Sequence, residues 1–459
     1  MNFTNNICYD SRKVKRGDIF FDFISNSKKD NPFIKEVVKK KPSLIISKKN
    51  LKYLKINTLK TDPKKFYLKL IKTKFKNIPK NLVGVTGTNG KTSIANFFYQ
   101  INKLCGAKSV SVGTLGYIFN DKLKKTNLTT PDNLSIYKFL QTSKKLGVNN
   151  AILEASSHGL IQERLLGLNF NTAIFTNFTQ DHLDYHKTMK SYLNAKLILF
   201  KKYLKKRGNI ICNDKVYKIL KKNNISNKKF KFVVQSKLLP FKIVNFKPYE
   251  DKTVLKINYK NKIFTKLVNL VGDIQIENLF QTISVCLISG INFNKIIDIL
   301  DKIHPAEGRL NIFNRNKKIV CLDYAHTPDG LAKTILTLKK HFNRPLNLVF
   351  GCGGNRDKGK RPIMGKIANK YCKKVFVTDD NPRFENPKKI RDEIFKSVPK
   401  AKKIAKRSLA IKTAIQKTSN KEILLIAGKG HEKYQIIKDK LIPFSDAKYI
   451  RKYLWKKNT

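Results

Sequence analysis

Short apolar runs bounded by polar turns recur along the chain, and helical stretches separate most of them. In residues 1–78 the runs "GDIFFDF" and "PSLIIS" predict strands, and the region closes in the Lys-rich "IKTKFKNIPKN". In 79–305, "NLVGVT" leads into a helix that starts near Lys91, and "NNAILEA" and "FNTAIFTN" follow, each ending in polar loop residues. From 306 onward, after "HPAEGR", come "KIVCLDY", "LNLVFG", "KKVFVT" and "EILLIAG". Unbroken runs of this kind suit strands buried on both faces. Their alternation with helices predicts parallel sheets with crossover helices, so two α/β domains (79–305 and 306–459) follow a smaller N-terminal one (1–78). No internal repeat of fixed period is visible. In open α/β sheets ligands bind outside the carboxyl ends of the strands. The polar stretches "DDNPR", "GCGGNRDKGKR" and "AGKGHE" stand at such ends.

Composition bounds the partners. The formal net charge is +63, from 95 Lys and Arg against 32 Asp and Glu. That balance suits nucleic acid or an anionic membrane surface. The lysines, however, are spread along the whole chain with asparagines and gather in no stripe, which reads as a coding bias. No nucleic-acid partner is expected; polyanionic small substrates would gain some electrostatic steering. Seven cysteines (8, 105, 212, 286, 321, 352, 372) show no CxxC pair, which argues for a reducing cytoplasm and against a disulfide framework. The N-terminus lacks a signal-peptide core, and no apolar run approaches the roughly 20 residues of a membrane span.

The strongest local motif is "GVTGTNGKTS", Gly84 to Ser93. A strand runs into a Gly-rich loop, and Lys-Thr opens a helix. In such loops the backbone N–H groups of Gly87, Thr88, Asn89, Gly90 and Ser93 cradle phosphates, Lys91 meets the β/γ charge, and Thr92 can hold Mg²⁺. Val85 stands where the common pattern has glycine, so the loop is a variant. It predicts binding of a nucleoside triphosphate. Glu154 ends a predicted strand and reads as a metal ligand on the phosphates or as a plain strand-terminal acid. His182 and His186 in "DHLDYH" are metal ligands or hydrogen-bonded structural histidines. "AKLILF" predicts an amphipathic helix with Lys196 at its start, a surface or salt-bridged lysine on these residues alone. "VTDDNPRFENP" (377–387) puts two acids and an arginine at one corner: a turn with a solvated arginine, or a contact to a ligand of both charge signs.

"TGTNGKT", "LTTPD", "EASSHGL", "DHLDYH", "AKLILF", "EGR", "DYAHTPD" and "GKGHE" occur in this order, and together they resemble the Mur ligases of peptidoglycan synthesis. The resemblance spans nearly the whole chain and is weakest over 200–270. It implies a small N-terminal α/β domain that binds a UDP substrate, a central P-loop-type domain with a parallel sheet that binds ATP, and a Rossmann-like C-terminal domain that brings an amino acid. It implies ATP and Mg²⁺, with Lys91, Lys196, Glu154 and His182 as catalytic residues and Thr92, Glu154, His182 and Lys196 around the metal. Lys196 would be carbamylated: an ammonium repels Mg²⁺, whereas a carbamate offers hard anionic oxygens. Ser11, Thr129, Thr130, Ser156, Gln162 and Arg164 match contacts to a UDP-muramoyl substrate. Asn278, Arg309 and Asp323 match nucleotide contacts. Family members usually carry asparagine where this chain has Gln275. His326 lies in a family motif with no role fixed by it.

Within the family, "GCGGNRDKGKRP" and "DDNPR" resemble the branch that adds meso-diaminopimelate to UDP-N-acetylmuramoyl-dipeptide. Diaminopimelate is a zwitterion at both ends. Arg383 can fork onto a carboxylate with Arg356 as a second cation, and Asp380 and Glu432 can accept from ammonium groups. Asn381, Pro382 and Gly428 complete the expected amino-acid site, with Pro382 stiffening the turn. Lysine-adding relatives lack the arginine. The rival readings are the same ligation with lysine, a folylpolyglutamate synthetase, a basic nucleic-acid-binding ATPase, and a non-catalytic nucleotide-binding scaffold. A monomer is expected.

Overall fold

The computed structural model describes residues 6–26, 29–234 and 241–455. These residues segregate into two compact units. The first comprises 1–79 with 132–146 and 165–168; the second comprises 80–131, 147–164 and 169–459.

In the first unit the predicted strands Ile19–Phe21 and Leu44–Ser47 form, and Ile7–Cys8 and Thr58–Lys60 flank them in a four-stranded parallel sheet. Phe20 and Ile45 pack with Cys8, Val14, Ile34 and Val37. The helix Pro63–Lys74 starts where Asp62 accepts from the backbone N–H of Lys64 and Lys65 and proline takes the first turn. Helix Asn133–Lys145 also belongs here, although its sequence lies inside the central region. Asn133 is buried and accepts from Tyr67 Oη at 2.8 Å.

The second unit holds the predicted parallel sheets. Eight strands run in the order Lys231–Val234, Leu204–Cys212, Phe170–Phe175, Asn81–Thr86, Asn150–Glu154, Ser109–Gly113, Gly116–Phe119, Lys122–Lys124, the last two pairs antiparallel and the rest parallel. Helix Lys91–Leu104 lays Ile94, Phe97, Phe98 and Ile101 against them, the 3.6-residue stripe of a core-facing helix. The next region departs from helix–strand alternation. Phe241–Tyr249, Lys252–Tyr259 and Lys262–Val268 make an antiparallel three-stranded sheet. Its period-two signal is present in "TVLKI", where Thr253, Leu255 and Ile257 are buried and Lys256 is exposed.

The C-terminal sheet runs Asn311–Arg315, Lys318–Asp323, Ile423–Ala427, Leu346–Phe350, Val375–Val377, Lys402–Lys403, parallel except at its first pair. Successive strand residues feed opposite faces. Leu348, Phe350, Leu425 and Ala427 pack with Leu331, Ile335 and Met364; Val349, Leu424 and Ile426 pack with Ile411, Ile415 and Ile450. Burial on both faces explains the unbroken apolar runs.

One ion pair locks the end of this sheet. Arg407 and Asp446 are both fully buried; Arg407 Nε and Nη2 donate to Asp446 Oδ1 and Oδ2 at 2.8 and 2.7 Å, and Nη2 also donates to Ala427 O at 2.9 Å. The pair ties helices Arg407–Lys417 and Asp446–Leu454 to the strand that precedes Gly428. Replacing Arg407 by Met leaves a buried carboxylate unpaired and is expected to lower stability by about 3–5 kcal/mol in denaturant unfolding. Adding Asp446→Leu should recover part of that loss, because no charge is then left alone.

Candidate active site

The phosphate-loop motif forms the turn its sequence implies. Strand Asn81–Thr86 ends, Gly87 and Gly90 take positive φ of 144° and 87°, and the helix starts at Lys91. Neither glycine has room for a side chain: a Cβ at Gly87 would fall 1.8 Å from Thr176 Oγ1, and one at Gly90 2.6 Å from Asn278 Oδ1. Thr176 Oγ1 donates to Asn89 O at 2.5 Å and Thr88 Oγ1 donates to Thr179 O at 3.0 Å, so the strand Phe170–Phe175 and its loop hold the phosphate loop in shape. Lys91 Nζ donates to Gly87 O and Thr88 O, both at 2.8 Å. Burial holds this ammonium below the ordinary lysine range, against the pull of Glu154 and Asp181.

Glu154 ends strand Asn150–Glu154 in a buried polar cradle. Its Oε2 accepts from Thr92 Oγ1 at 3.1 Å and Thr114 Oγ1 at 3.0 Å, and its Oε1 from Thr114 N at 2.9 Å. Gly113 opens the space, since a Cβ there would sit 2.1 Å from Glu154 Oε1. Arg309 Nη2 reaches Thr92 Oγ1 at 3.4 Å, and its guanidinium lies over the Tyr324 ring at 4.3 Å. Thr92 and Glu154 present hard oxygen donors side by side, the chemistry Mg²⁺ selects. That ion takes few protein ligands and fills its remaining positions with water and phosphate oxygens. Among the described residues no three His, Cys, Asp or Glu side chains form a metal cage.

Lys196 is not at the start of an exposed helix. It sits in the last turn of Met189–Ile198, with 1% of the residue exposed. Close packing surrounds it: a Cβ at Gly84 would fall 2.9 Å from Leu199 Cδ1, so the side chain of the residue that follows this helix packs onto the strand where Gly84 has none. Lys196 Nζ donates to Gly87 O at 2.8 Å and lies 4.2 Å from the centroid of the Tyr192 ring. Burial pushes its pKa well below the ordinary lysine value, Lys91 adds to the shift, and Asp181 opposes it. A neutral amine is the form that reacts with CO₂.

The histidines of "DHLDYH" separate by role. His186 Nε2 and Ser157 Oγ share a hydrogen bond at 2.9 Å, and burial brings His186 down to about 4. His182, at φ 54°, stands 3.3 Å from Asp181 Oδ2 and is brought down to about 3 by burial, so Asp181 carries the charge and His182 is neutral.

A cleft of about 540 Å³ lies within the second unit, at the carboxyl ends of both parallel sheets. One wall carries Thr129, Ser156, Arg164 and His182; the other carries Arg356, Asp380, Asn381, Arg383, Gly428 and Glu432. Ser156 caps helix Ser157–Ile161 and bonds Thr130 Oγ1 at 2.9 Å, while Arg164 Nη1 donates to Thr130 O at 2.7 Å and Nη2 bonds Gln162. On the far wall Arg383 has φ 51° and its backbone joins Ile436 O and Lys438 N. Its Nη1 donates to Gly354 O at 2.8 Å, and burial, then Arg356, lower its pKa. A Cβ at Gly353 would sit 2.9 Å from that Nη1. Pro382 places its carbonyl 2.0 Å from where a Cβ of Gly354 would be, so the corner closes on the glycines of "GCGGNR".

Other expected residues lie off the cleft. Lys91 and Lys196 both bond Gly87 O, Arg309 Nη2 reaches Thr92 Oγ1, and Asn278 Oδ1 stands against Gly90, so these residues gather at the phosphate loop, while Asp323 joins them only through the Arg309 loop. Ser11 belongs to the first unit. Asp323 is raised by burial, and its carboxylate accepts from Leu310 N, Ala325 N and Thr334 Oγ1, which makes it the anchor of the Arg309 loop. Gln275 Nε2 donates to Arg309 O at 2.9 Å, while its Oε1 is buried with no partner among the described residues. Residues not singled out from the sequence also line the cleft: Asp181, His158, Tyr324, Lys360 and His431. All five stand inside quoted motifs, where a strand-end position was the available signal.

Comparison with known proteins agrees with this architecture. Residues 85–286 match the Mur ligase middle domain, and residues 308–430 match the domain described as Mur ligase, glutamate ligase domain. The chain is 40% identical over 454 residues, 96% of it and 94% of the relative, to the UDP-N-acetylmuramoyl-L-alanyl-D-glutamate--2,6-diaminopimelate ligase of Rickettsia montanensis. It is 36% identical over 480 residues, 98% of it and 95% of the relative, to the protein of the same name from Wigglesworthia glossinidia brevipalpis. A solved structure of that name superposes with a TM-score of 0.67 at 29% identity, over 98% of this chain and 94% of the other. MurF ligase from Thermotoga maritima in complex with ADP shares the fold alone, with a TM-score of 0.64 at 17% identity over 93% of this chain and 94% of the other. The chain belongs to the Mur ligase family. It is an enzyme, and its chemistry is ligation.

Two of the lowered histidines give a pH prediction. His186, at about 4, and His431, at about 3, are kept neutral mainly by burial. Their folded pKa values lie below the ordinary value near 6.5, so the unfolded chain binds the protons first. Stability should therefore be full above about pH 6.5 and fall as pH drops toward about 4.5, before carboxylates protonate. Thermal midpoints across that window should show the slope, and His431→Asn should reduce it.

Proposed function

We propose that this enzyme joins meso-2,6-diaminopimelate to UDP-N-acetylmuramoyl-L-alanyl-D-glutamate, using ATP, in the synthesis of peptidoglycan precursors. The observation that carries the reading is the cleft itself. Its one wall offers Arg164, Ser156 and Thr129 to an anionic substrate, and its other wall offers two arginines and two carboxylates to an amino acid with charges at both ends. The near full-length likeness to proteins named as diaminopimelate ligases supports it. On this reading 1–78 holds the UDP moiety with Ser11, 79–305 holds the nucleotide, and 306–459 brings the amino acid. The described residues include no helix long and apolar enough to cross a membrane. All seven cysteines are free thiols.

The substrate's terminal carboxylate attacks the γ-phosphorus, ADP leaves, and an acyl phosphate forms. The amine then attacks the acyl carbon, phosphate departs, and the nitrogen sheds a proton. Lys91 stabilises charge on the transferring group. Asn278 and Arg309 border the nucleotide, and Asp323 holds Arg309 in place. Mg²⁺, held by Thr92 and Glu154 with His182 and a carbamylated Lys196 nearby, would neutralise phosphate charge. Arg356 and Arg383 take the amino acid's distal carboxylate, and Asp380 and Glu432 accept from its ammonium groups, with Asn381, Pro382 and Gly428 shaping the corner.

Arg383 is the selectivity test. A site built to pair a charge rejects an analogue that lacks the partner, by roughly 10⁴-fold, so the unaltered enzyme should hardly use lysine. Arg383→Ala should reduce kcat/KM for diaminopimelate by about 2–5 kcal/mol and change lysine use far less. Arg383→Lys should recover only part, because an ammonium cannot make two parallel bonds. Steady-state kinetics with both amino acids decide it; equal losses for the two would assign Arg383 to the fold. Separately, Lys196→Ala should lose most activity, and added short-chain carboxylates should restore a fraction. Turnover near that of the unaltered enzyme would refute a carbamate role.

A further inference from the structure

The sequence "GKGHE" hides a lysine that no part of the reaction above uses. Lys429 follows the strand Ile423–Ala427 and Gly428, and its side chain is fully buried. It is not among the residues that line the cleft, although Gly428, His431 and Glu432 are. Burying an ammonium is costly unless it is paired and hydrogen-bonded. Its partners all belong to the amino-acid wall. Lys429 Nζ donates to Glu432 Oε2 at 2.8 Å and to Asn381 Oδ1 at 2.9 Å. Asn381 Nδ2 in turn donates to the same Glu432 Oε2 at 2.9 Å, and Ile436 N donates to Asn381 Oδ1 at 3.0 Å.

This network has one solution. The Asn381 amide must turn its oxygen to Lys429 and Ile436 and its nitrogen to Glu432, because the opposite orientation sets donors against donors. Glu432 Oε2 is then taken by two donors, and Oε1 accepts neither of those bonds. The backbone closes the same ring: Glu432 N bonds Lys429 O at 2.9 Å, and Gln435 Nε2 donates to Asp380 O at 2.8 Å. Two loops from the ends of different strands, 379–383 and 428–436, are thereby held in fixed register across one buried charge.

We propose that Lys429 is the positioning residue of the amino-acid site: from behind the wall it fixes the Glu432 carboxylate and the Asn381 amide so that Glu432 Oε1 faces an ammonium group of the incoming amino acid. It rests on the proposed function and extends it to a residue that never touches substrate. Lys429→Met keeps the length of the side chain and removes the charge and the donors. The misaimed carboxylate should raise KM for diaminopimelate about 10- to 100-fold, with kcat and the KM values for ATP and the UDP substrate changed less than about threefold.

A double-mutant cycle separates this from a loss of fold. If Lys429 acts through Glu432, Lys429→Met should raise KM little further in a Glu432→Gln background, whereas a merely structural lysine would add its full effect. Lys429→Gln retains an uncharged NH₂ group with two donors and should fall between Met and the unaltered enzyme; it also serves if the Met variant does not fold. The assay is phosphate release by the full chain with varied diaminopimelate. No amino-acid-dependent release by the unaltered chain would overturn the proposed function, and this inference with it. Normal release by the unaltered chain together with an unchanged KM in a folded Lys429 variant, equal changes in all three KM values, or additive effects in the cycle would overturn the role of Lys429 alone.

Discussion

Two lysines meet on one backbone oxygen. Lys91 and Lys196 both donate to Gly87 O at 2.8 Å, from different helices; Lys196 is buried and Lys91 half-buried beside the phosphate loop. Like charges so placed disfavour one another, and burial disfavours both. The arrangement persists because the surrounding chain is over-determined: Gly84 lets Leu199 approach the strand, Gly87 lets Thr176 approach the loop, and Gly90 admits Asn278. Positive potential from Lys91 is thus placed at the N-terminus of helix Lys91–Leu104, whose dipole has the same sign. Burial and the neighbouring Lys91 push the Lys196 ammonium toward its neutral form.

The amino-acid wall solves the opposite problem. It needs both charge signs within one corner without their collapsing onto each other. Arg383 is kept from Glu432 by being tied to Gly354 O, and Glu432 is occupied on one oxygen by Lys429 and Asn381. Beneath it, the Arg407–Asp446 pair fixes the end of the strand that carries Gly428. Such buried charged networks do little for net stability when compared with apolar packing, but they specify one geometry. On the proposed function, the specified geometry is that of a surface able to read a zwitterion.

The phosphate loop and the strand-end motifs were legible because their physics is local. A turn that needs two positive-φ glycines, a lysine and a threonine in sequence writes itself into ten consecutive residues, Gly84 to Ser93. The alternation of apolar runs and helices likewise reports strands covered on both faces. Less local features were not legible. The antiparallel sheet over 241–268 carries its alternation faintly between lysines, because one face is largely exposed and tolerates them. Helix Asn133–Lys145 reads as part of the central region but packs with the first unit, a choice made by partners distant in sequence such as Tyr67.

By itself, then, the sequence determined the α/β class, the nucleotide loop and the chemistry at the strand ends, since each depends on residues within a few positions of one another. Only the tertiary structure decided which lysines are buried. On its own segment Lys196 reads as a surface residue, although the family resemblance marks it as a metal ligand, and Lys429 reads as one more cation in a chain with 95 lysines and arginines. Burial and partnering are set by elements that arrive from far along the chain: the strand at Gly84 for Lys196, and the corner at Asn381 for Lys429. The same side chain is a solvated charge in one surrounding and a buried, partnered one in the other, because desolvation raises the cost of an unpaired charge and so fixes where its partners must be.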